Sequence, residues 1–183
     1  VSKYDLVDGR ISSKISDEIN TAIENCGKGD KHAHIARLGL DVPEFEMPKL
    51  YKACQCFVLP TRGEGFGLPF VEASLCGLPV IAPRHGGQMM FLSDDNSYLF
   101  DIDKIEELSI GKTNVHYWDG QKFPLLTSPQ TIENIGKLMR LVKDEYHVAK
   151  EKNKKLQQRA TNFSLEKVGS LAAERLSEIW QTL

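Results

Sequence analysis

Two glutamates, Glu64 and Glu72, bracket the core of the stretch Thr61-Arg62-Gly63-Glu64-Gly65-Phe66-Gly67-Leu68-Pro69-Phe70-Val71-Glu72-Ala73. Gly63, Gly65 and Gly67 lie so close together that they read as a loop. The apolar run before it, Cys56-Phe57-Val58-Leu59-Pro60, reads as a buried strand. Pro69, just after it, suits the first turn of a helix, where its missing N–H is not needed. Strand, glycine loop and helix start, in that order, aim backbone N–H groups and the positive end of a helix dipole at one point. Such a point suits an anion, for instance a diphosphate. A carboxylate beside it cannot hold phosphate, but it accepts hydrogen bonds from the hydroxyls of a sugar or ribose.

Spacing alone does not single these two residues out. Fourteen glutamates in 183 residues give about one such pair by chance, and Glu166 and Glu174 repeat the separation on a helix that reads as a surface one. Context distinguishes Glu64 and Glu72. A second glycine pair, Gly86-Gly87, also follows an apolar run, Val80-Ile81-Ala82, and precedes a short helix expected over Gln88–Leu92. It either adds N–H donors to the same phosphates or only makes a tight turn. Arg84 is placed either to reach phosphate or to pair with Asp94 or Asp95, Arg62 is equally open, and His85 reads as a loop residue without a catalytic part. Asp101-Ile-Asp103 has the form of a metal–diphosphate holder, but it lies away from the glycine loop in sequence. A solvated strand end is the simpler reading, and no metal is expected. Hydrolysis by the two glutamates would need them to flank a scissile bond at a defined separation, which a Glu72 set inside a helix does not suit.

The elements that must position these groups follow from periodicity. Val1 to Val7 ends a strand and Asp8-Gly9 turns. Ile15 to Cys26 forms an amphipathic helix with Ser16 as cap and Ile15, Ile19, Ala22 and Ile23 on its apolar side. His34 to Leu40 is a short buried strand, and Asp41 to Glu44 a loop. Met47 to Ala53 is a short helix with Leu50, Tyr51 and Ala53 inward. The motif helix runs Leu68–Cys76 and breaks at Gly77-Leu-Pro79; strands follow at Val80–Ala82 and Tyr98–Phe100. Residues 102–127, with His116-Tyr117-Trp118, read as an irregular excursion. Ser128 caps a helix with Pro129 at its first position and Ile132, Ile135, Met139, Val142 and Tyr146 as its inner stripe. A charged segment, Lys143 to Arg159, follows, and its Lys and Glu residues read as a solvated helix face. Ser164 caps a last helix over 164–183, with Leu165, Val168, Ala172, Leu176, Ile179 and Leu183 on one side. Alternating short strands and helices imply an α/β fold, a Rossmann-like parallel sheet flanked by helices, with ligands at the carboxyl ends of the strands.

A chain of 183 residues with 41% hydrophobic and 26% charged residues fits one soluble domain over 1–183. A net charge of −2 gives no electrostatic case for nucleic acid or an anionic membrane surface, and no apolar run is long enough to span a bilayer. Cys26, Cys54, Cys56 and Cys76 have no metal-ligand spacing and read as buried free thiols of a reducing compartment. The opening on Val1 suggests a fragment or a processed chain.

The run Glu64-Gly-Phe-Gly-Leu-Pro-Phe-Val-Glu72-Ala, then Gly77-Leu-Pro-Val-Ile-Ala82, then Gly86-Gly87, resembles the donor-binding half of retaining GT-B glycosyltransferases with the E-x7-E signature, the glycogen-synthase-like and mannosyltransferase-like enzymes. It does so most specifically over residues 35–100. The resemblance implies the C-terminal half of a GT-B fold, truncated on its N-terminal side. It implies that Glu72 binds the ribose hydroxyls of the nucleotide and that Glu64, the catalytic candidate, contacts the donor sugar. Backbone N–H groups of the loop at Gly65, Phe66, Gly67 and Leu68 then meet the sugar and diphosphate, with Gly86 and Gly87 beside them. The donor is a UDP-, GDP- or ADP-sugar and no cofactor is needed. The acceptor, a glycan, lipid or protein, would be held by an absent N-terminal half, so the 183 residues alone bind donor and transfer nothing. A cytoplasmic location follows, with peripheral contact to the inner membrane face through that other half. Two departures stand out. The Arg and Lys that clamp the diphosphate in the resembling enzymes have only a loose counterpart in Arg10 and Lys14, and Met89 and Met90 occupy the region where a Glu often follows the glycine pair. A non-catalytic nucleotide-sugar-binding relative and a GT-B nucleotide-sugar epimerase are the competing expectations.

Overall fold

The computed structural model describes residues 6–7, 10–11, 13–25, 33–36, 38, 42–108 and 120–182. The chain forms two compact units, Val1–Met47 and Pro48–Leu183. In the first, strands β1 (Leu6–Val7) and β2 (Arg10–Ile11) pair antiparallel, Leu6 opposite Ile11, and helix α1 covers Ser13–Asn25. Ser16 therefore lies inside the helix and does not cap it, and Ala22 is exposed. The expected strand over His34–Leu40 is not formed where the chain is described. Residues 33–36 and 38 have no regular structure, and Ile35 and Leu38 are exposed. An apolar run makes a strand only where a neighbouring strand satisfies its backbone. Arg37, Gly39 and Leu40, like Arg10 and Lys14 as side chains, lie outside the described residues.

The second unit carries the site. Helix α2 (Met47–Lys52) leads to strand β3 (Phe57–Val58), then helix α3 (Leu68–Leu75), strand β4 (Val80–Pro83), a 3-10 turn over Gly87–Met90 and strand β5 (Tyr98–Phe100). The three strands form a parallel sheet in the order β3-β4-β5, with Phe57 opposite Val80 and Ile81 opposite Tyr98. Parallel strands require both faces to be covered, and the two apolar clusters do this. Val80, Ala82 and Leu99 face Phe70, Val71, Phe91, Leu92, Leu156 and Ala160. Ile81, Tyr98 and Phe100 face Val142 and Ala149. Strand β3, expected to be buried, is half-buried. In α2 Tyr51 is buried but Ala53, expected inward, is exposed.

Helix α3 stops where its sequence dictates. Gly77 adopts φ 89°, its N–H donates to Ser74 O (2.8 Å), and the Leu78 N–H reaches Ala73 O (3.0 Å). This is the paired closure that a left-handed glycine after a helix makes possible. Two side chains from helix α5 (Tyr146–Ala160) complete it: Asn153 Nδ2 donates to Ser74 O (3.1 Å) and Lys150 Nζ to Gly77 O (2.7 Å). The charged side chains of Lys143, Glu145, Glu151, Lys154 and Lys155 are exposed, as expected of a solvated face, while Ala149, Asn153, Leu156 and Ala160 form a buried stripe of α5 at helical spacing.

Residues 102–127 are not irregular throughout. Strands β6 (Ile105–Glu107) and β7 (Lys122–Pro124) pair antiparallel; His116-Tyr117-Trp118 lie outside the described residues. Helix α4 (Pro129–Asp144) begins as expected, the Ser128 side chain accepting from the Thr131 N–H. Its inner face is Thr131, Ile135, Leu138 and Val142, whereas Ile132, Met139 and Tyr146 are exposed. The helix is rotated because Thr131 is drawn inward, its hydroxyl donating to Asp103 Oδ1 (2.6 Å). Helix α6 (Leu165–Gln181) has the predicted cap, Ser164, but no buried residue; Leu165 is 90% and Trp180 79% exposed, so Trp180 is not packed in a core. Cys54 is exposed and Cys56 and Cys76 are half-buried free thiols, against the expectation of full burial; burial pushes the Cys56 thiol up to about 11. Cys26 lies outside the described residues. Among the described residues no helix is long and apolar enough to cross a membrane.

Candidate functional site

The corner between β3 and α3 is built from short-range constraints. The Thr61 hydroxyl donates to Gly63 O (2.8 Å) and its oxygen accepts the Gly63 N–H (3.2 Å), turning the chain out of the strand. Gly67 then takes φ 97° at the N-cap, with Pro69 in the first turn of α3. A Cβ at Gly67 would stand 2.9 Å from both Gln88 Cβ and Phe70 Cδ2, so glycine is required there twice over. The Phe66 ring turns inward, 5.2 Å from the ring of Phe91 and 5.0 Å from that of Phe163, and anchors the loop. Among the described residues the N–H groups of Gly65, Phe66, Gly67 and Leu68 have no acceptor. They are the unpaired donors of a helix N-terminus and its approach.

The second glycine loop closes on the first. The Gly87 N–H donates to Glu64 O (3.0 Å), and a Cβ at Gly87 would sit 1.8 Å from Gly65 O. Only a residue without a Cβ allows this approach. Gly87 therefore does not offer its N–H to a ligand, contrary to the expectation for it; it locks the two loops together. Gly86 has φ 94°, and its N–H has no acceptor among the described residues. Beneath both loops lies Gln88, fully buried. Its Nε2 donates to Pro83 O (3.3 Å) and to His85 O, and its Oε1 has no partner among the described residues.

The two carboxylates are held differently. Glu64 is half-buried, and its side chain makes no hydrogen bond among the described residues. Glu72, on α3, is exposed, and its Oε2 accepts from the Tyr51 hydroxyl at 3.0 Å. Tyr51 was expected only as an inward residue of α2. Its reach to Glu72 spans the chain between two elements and has no local signal. Burial first, and the Glu72 hydrogen bond next, raise the Tyr51 phenol well above its ordinary value, so it remains a donor.

The basic and acidic candidates around the corner are engaged elsewhere. Arg62 Nη2 pairs with Glu106 Oε1 (2.7 Å), its Nε donates to Pro124 O (3.1 Å), and its guanidinium stands 5.8 Å from the Phe123 ring centroid. It ties the loop to the β6–β7 ribbon. Arg84 forks onto Asp94 (2.8 and 3.0 Å) and also meets Asp101 (2.8 Å). Asp94, and not Asp95, is its partner. Asp103 accepts from Ser128 Oγ and Thr131 Oγ1, both at 2.6 Å, and these hydrogen bonds hold its carboxyl below the usual carboxylate value. Asp101 and Asp103 thus serve different partners, and among the described residues no group of three His, Cys, Asp or Glu is placed to hold a metal.

A parallel sheet covered by helices, with a glycine corner at its carboxyl edge, is the architecture of a GT-B glycosyltransferase domain. HepE from Anabaena, solved in complex with UDP and glucose, has this fold: TM-score 0.61 at 20% identity over 89% of this chain and 37% of that one. So has the C-terminal domain of a glycosyl transferase group 1 family protein, LpcC, from Francisella tularensis, with TM-score 0.56 at 18% identity over 88% of this chain and 65% of that one. The family model for glycosyl transferases group 1 matches residues 12–111, and the chain belongs to that family. The O-antigen chain mannosyltransferase B of Escherichia coli is 38% identical over 84 residues, 43% of this chain and 21% of that protein. The D-inositol 3-phosphate glycosyltransferase of Segniliparus rotundus is 25% identical over 95 residues, 52% of this chain and 19% of that protein. The matches span about a fifth of these curated relatives.

Proposed function

We propose that the corner binds the diphosphate of a nucleotide sugar and serves retaining transfer of the sugar to an acceptor hydroxyl. The observation that carries this reading is the row of unpaired N–H groups from Gly65 to Leu68 at the start of α3, which Glu64 and Glu72 flank in sequence. As the bond to the leaving diphosphate breaks, negative charge grows on its oxygens. Donors already fixed in place, with the α3 dipole behind them and the Gly86 N–H beside them, stabilise that charge without reorganising. Glu72 accepts hydrogen bonds from the ribose hydroxyls. Glu64, at the loop, accepts from a hydroxyl of the donor sugar and holds it with its anomeric carbon open to attack. The donor is a UDP-, GDP- or ADP-sugar; the solved relative holding UDP and glucose, and the mannosyltransferase relative, support that class. The acceptor, a glycan, lipid or protein, is bound by residues outside this chain. No cofactor or metal is needed for these steps.

Isothermal titration with UDP-, GDP- and ADP-sugars tests the reading. One of the three binds, and Glu72→Ala weakens it about tenfold or more, the effect of removing a charged hydrogen-bond acceptor. A folded sample that binds none of them rejects the assignment. A second reading, a nucleotide-sugar-binding relative without turnover, is favoured by the engagement of Arg62 and Arg84 in ion pairs away from the corner. Product formation by the full-length protein with donor and acceptor separates the two.

A further inference from the structure

We propose that Tyr51 is a positioning residue for Glu72, orienting the carboxylate so that its second oxygen faces the ribose hydroxyls. The proposal rests on the reading of Glu72 as the ribose acceptor. Glu72 is exposed on α3, and an exposed glutamate is free to sample several rotamers. Here one oxygen is tethered: the Tyr51 hydroxyl donates to Oε2 at 3.0 Å, leaving Oε1 without a partner among the described residues. The tether is itself fixed. Tyr51 is only 8% exposed, its ring meets Phe57 edge-on at 5.7 Å, and Phe57 meets Phe70 edge-on at 5.7 Å. Phe70 belongs to the same helix as Glu72, so three rings join the donor to the element that carries the acceptor. A buried tyrosine needs some partner for its hydroxyl. This one takes a carboxylate that water could otherwise reach, on the helix whose start carries the unpaired N–H groups, and burial and that carboxylate keep the phenol protonated.

Tyr51→Phe keeps the ring and removes the hydroxyl. Affinities are measured for UDP, GDP and ADP and for their 2′,3′-dideoxy counterparts, on the wild-type chain, Tyr51→Phe and Glu72→Ala. For the nucleotide that binds, Tyr51→Phe weakens the ribose form about threefold to tenfold, the loss of one hydrogen bond's net worth, and leaves the dideoxy form unchanged. A merely structural tyrosine would weaken both forms alike. Equal losses, or no loss on the ribose form, overturn the proposal while Glu72→Ala still tests the ribose contact separately. A wild-type chain that does not distinguish ribose from dideoxyribose overturns both.

Discussion

Gly87 touches the carbonyl oxygen of Gly65 so closely that the two loops can meet only because it has no side chain. Alanine there would force the loops apart. Gly87→Ala should therefore destabilise the protein by about 1–3 kcal/mol, the range for overpacking, in chemical denaturation, and should weaken donor binding as the Gly65–Leu68 row shifts. Gly65→Ala is the contrast. Its added Cβ meets nothing within 4 Å, so stability should stay within about 0.5 kcal/mol of wild type. Equal stability for the two variants would contradict the close approach.

Helix α4 shows what an element owes to its ends. Ser128 accepts the Thr131 N–H, and Asp103 gathers the hydroxyls of both. Ser128→Ala should cost about 1 kcal/mol in thermal or denaturant unfolding, as lost caps do. The Asp103 carboxyl titrates below its ordinary value of 3.8 when folded. A group depressed in this way contributes its stability above the unfolded value and loses it as the pH falls through the folded one. Asp103→Asn should thus be less stable than wild type at pH 7, and the gap should close in acid below about pH 4. A gap that stays constant from neutral pH into acid would show that the ionised carboxylate does nothing for the helix.

Across the whole molecule, apolar area stabilises only where it leaves water. Helix α6 illustrates the limit: its apolar side is patterned for burial, yet Leu165 is 90% and Leu176 66% exposed, and Leu171, off that side, is 63% exposed. Leu171→Ser and Leu176→Ser should each shift the unfolding free energy of this chain by no more than about 0.5 kcal/mol. A loss of about 2 kcal/mol or more, as from a buried leucine, would mean that this helix is covered within the chain.

Amino-acid order alone determined the parts of the protein that depend on neighbours a few residues away. The strand, glycine loop and proline-started helix of the corner, the Ser128 and Ser164 caps, the Gly77 stop and strand Tyr98–Phe100 all lie where steric limits and local hydrogen bonds put them. So did the resemblance that named the family, since it resides in one continuous stretch. Tertiary structure alone decided that Gly87 closes on Gly65, that Arg62 reaches Glu106 in the β6–β7 ribbon, that Tyr51 holds Glu72, and that α4 turns Thr131 inward and Ile132 out. It also left residues 33–36 without a strand. Each of these outcomes depends on which distant segment the folded chain brings alongside, and periodicity, which records only a residue's own element, carries no information about its partner.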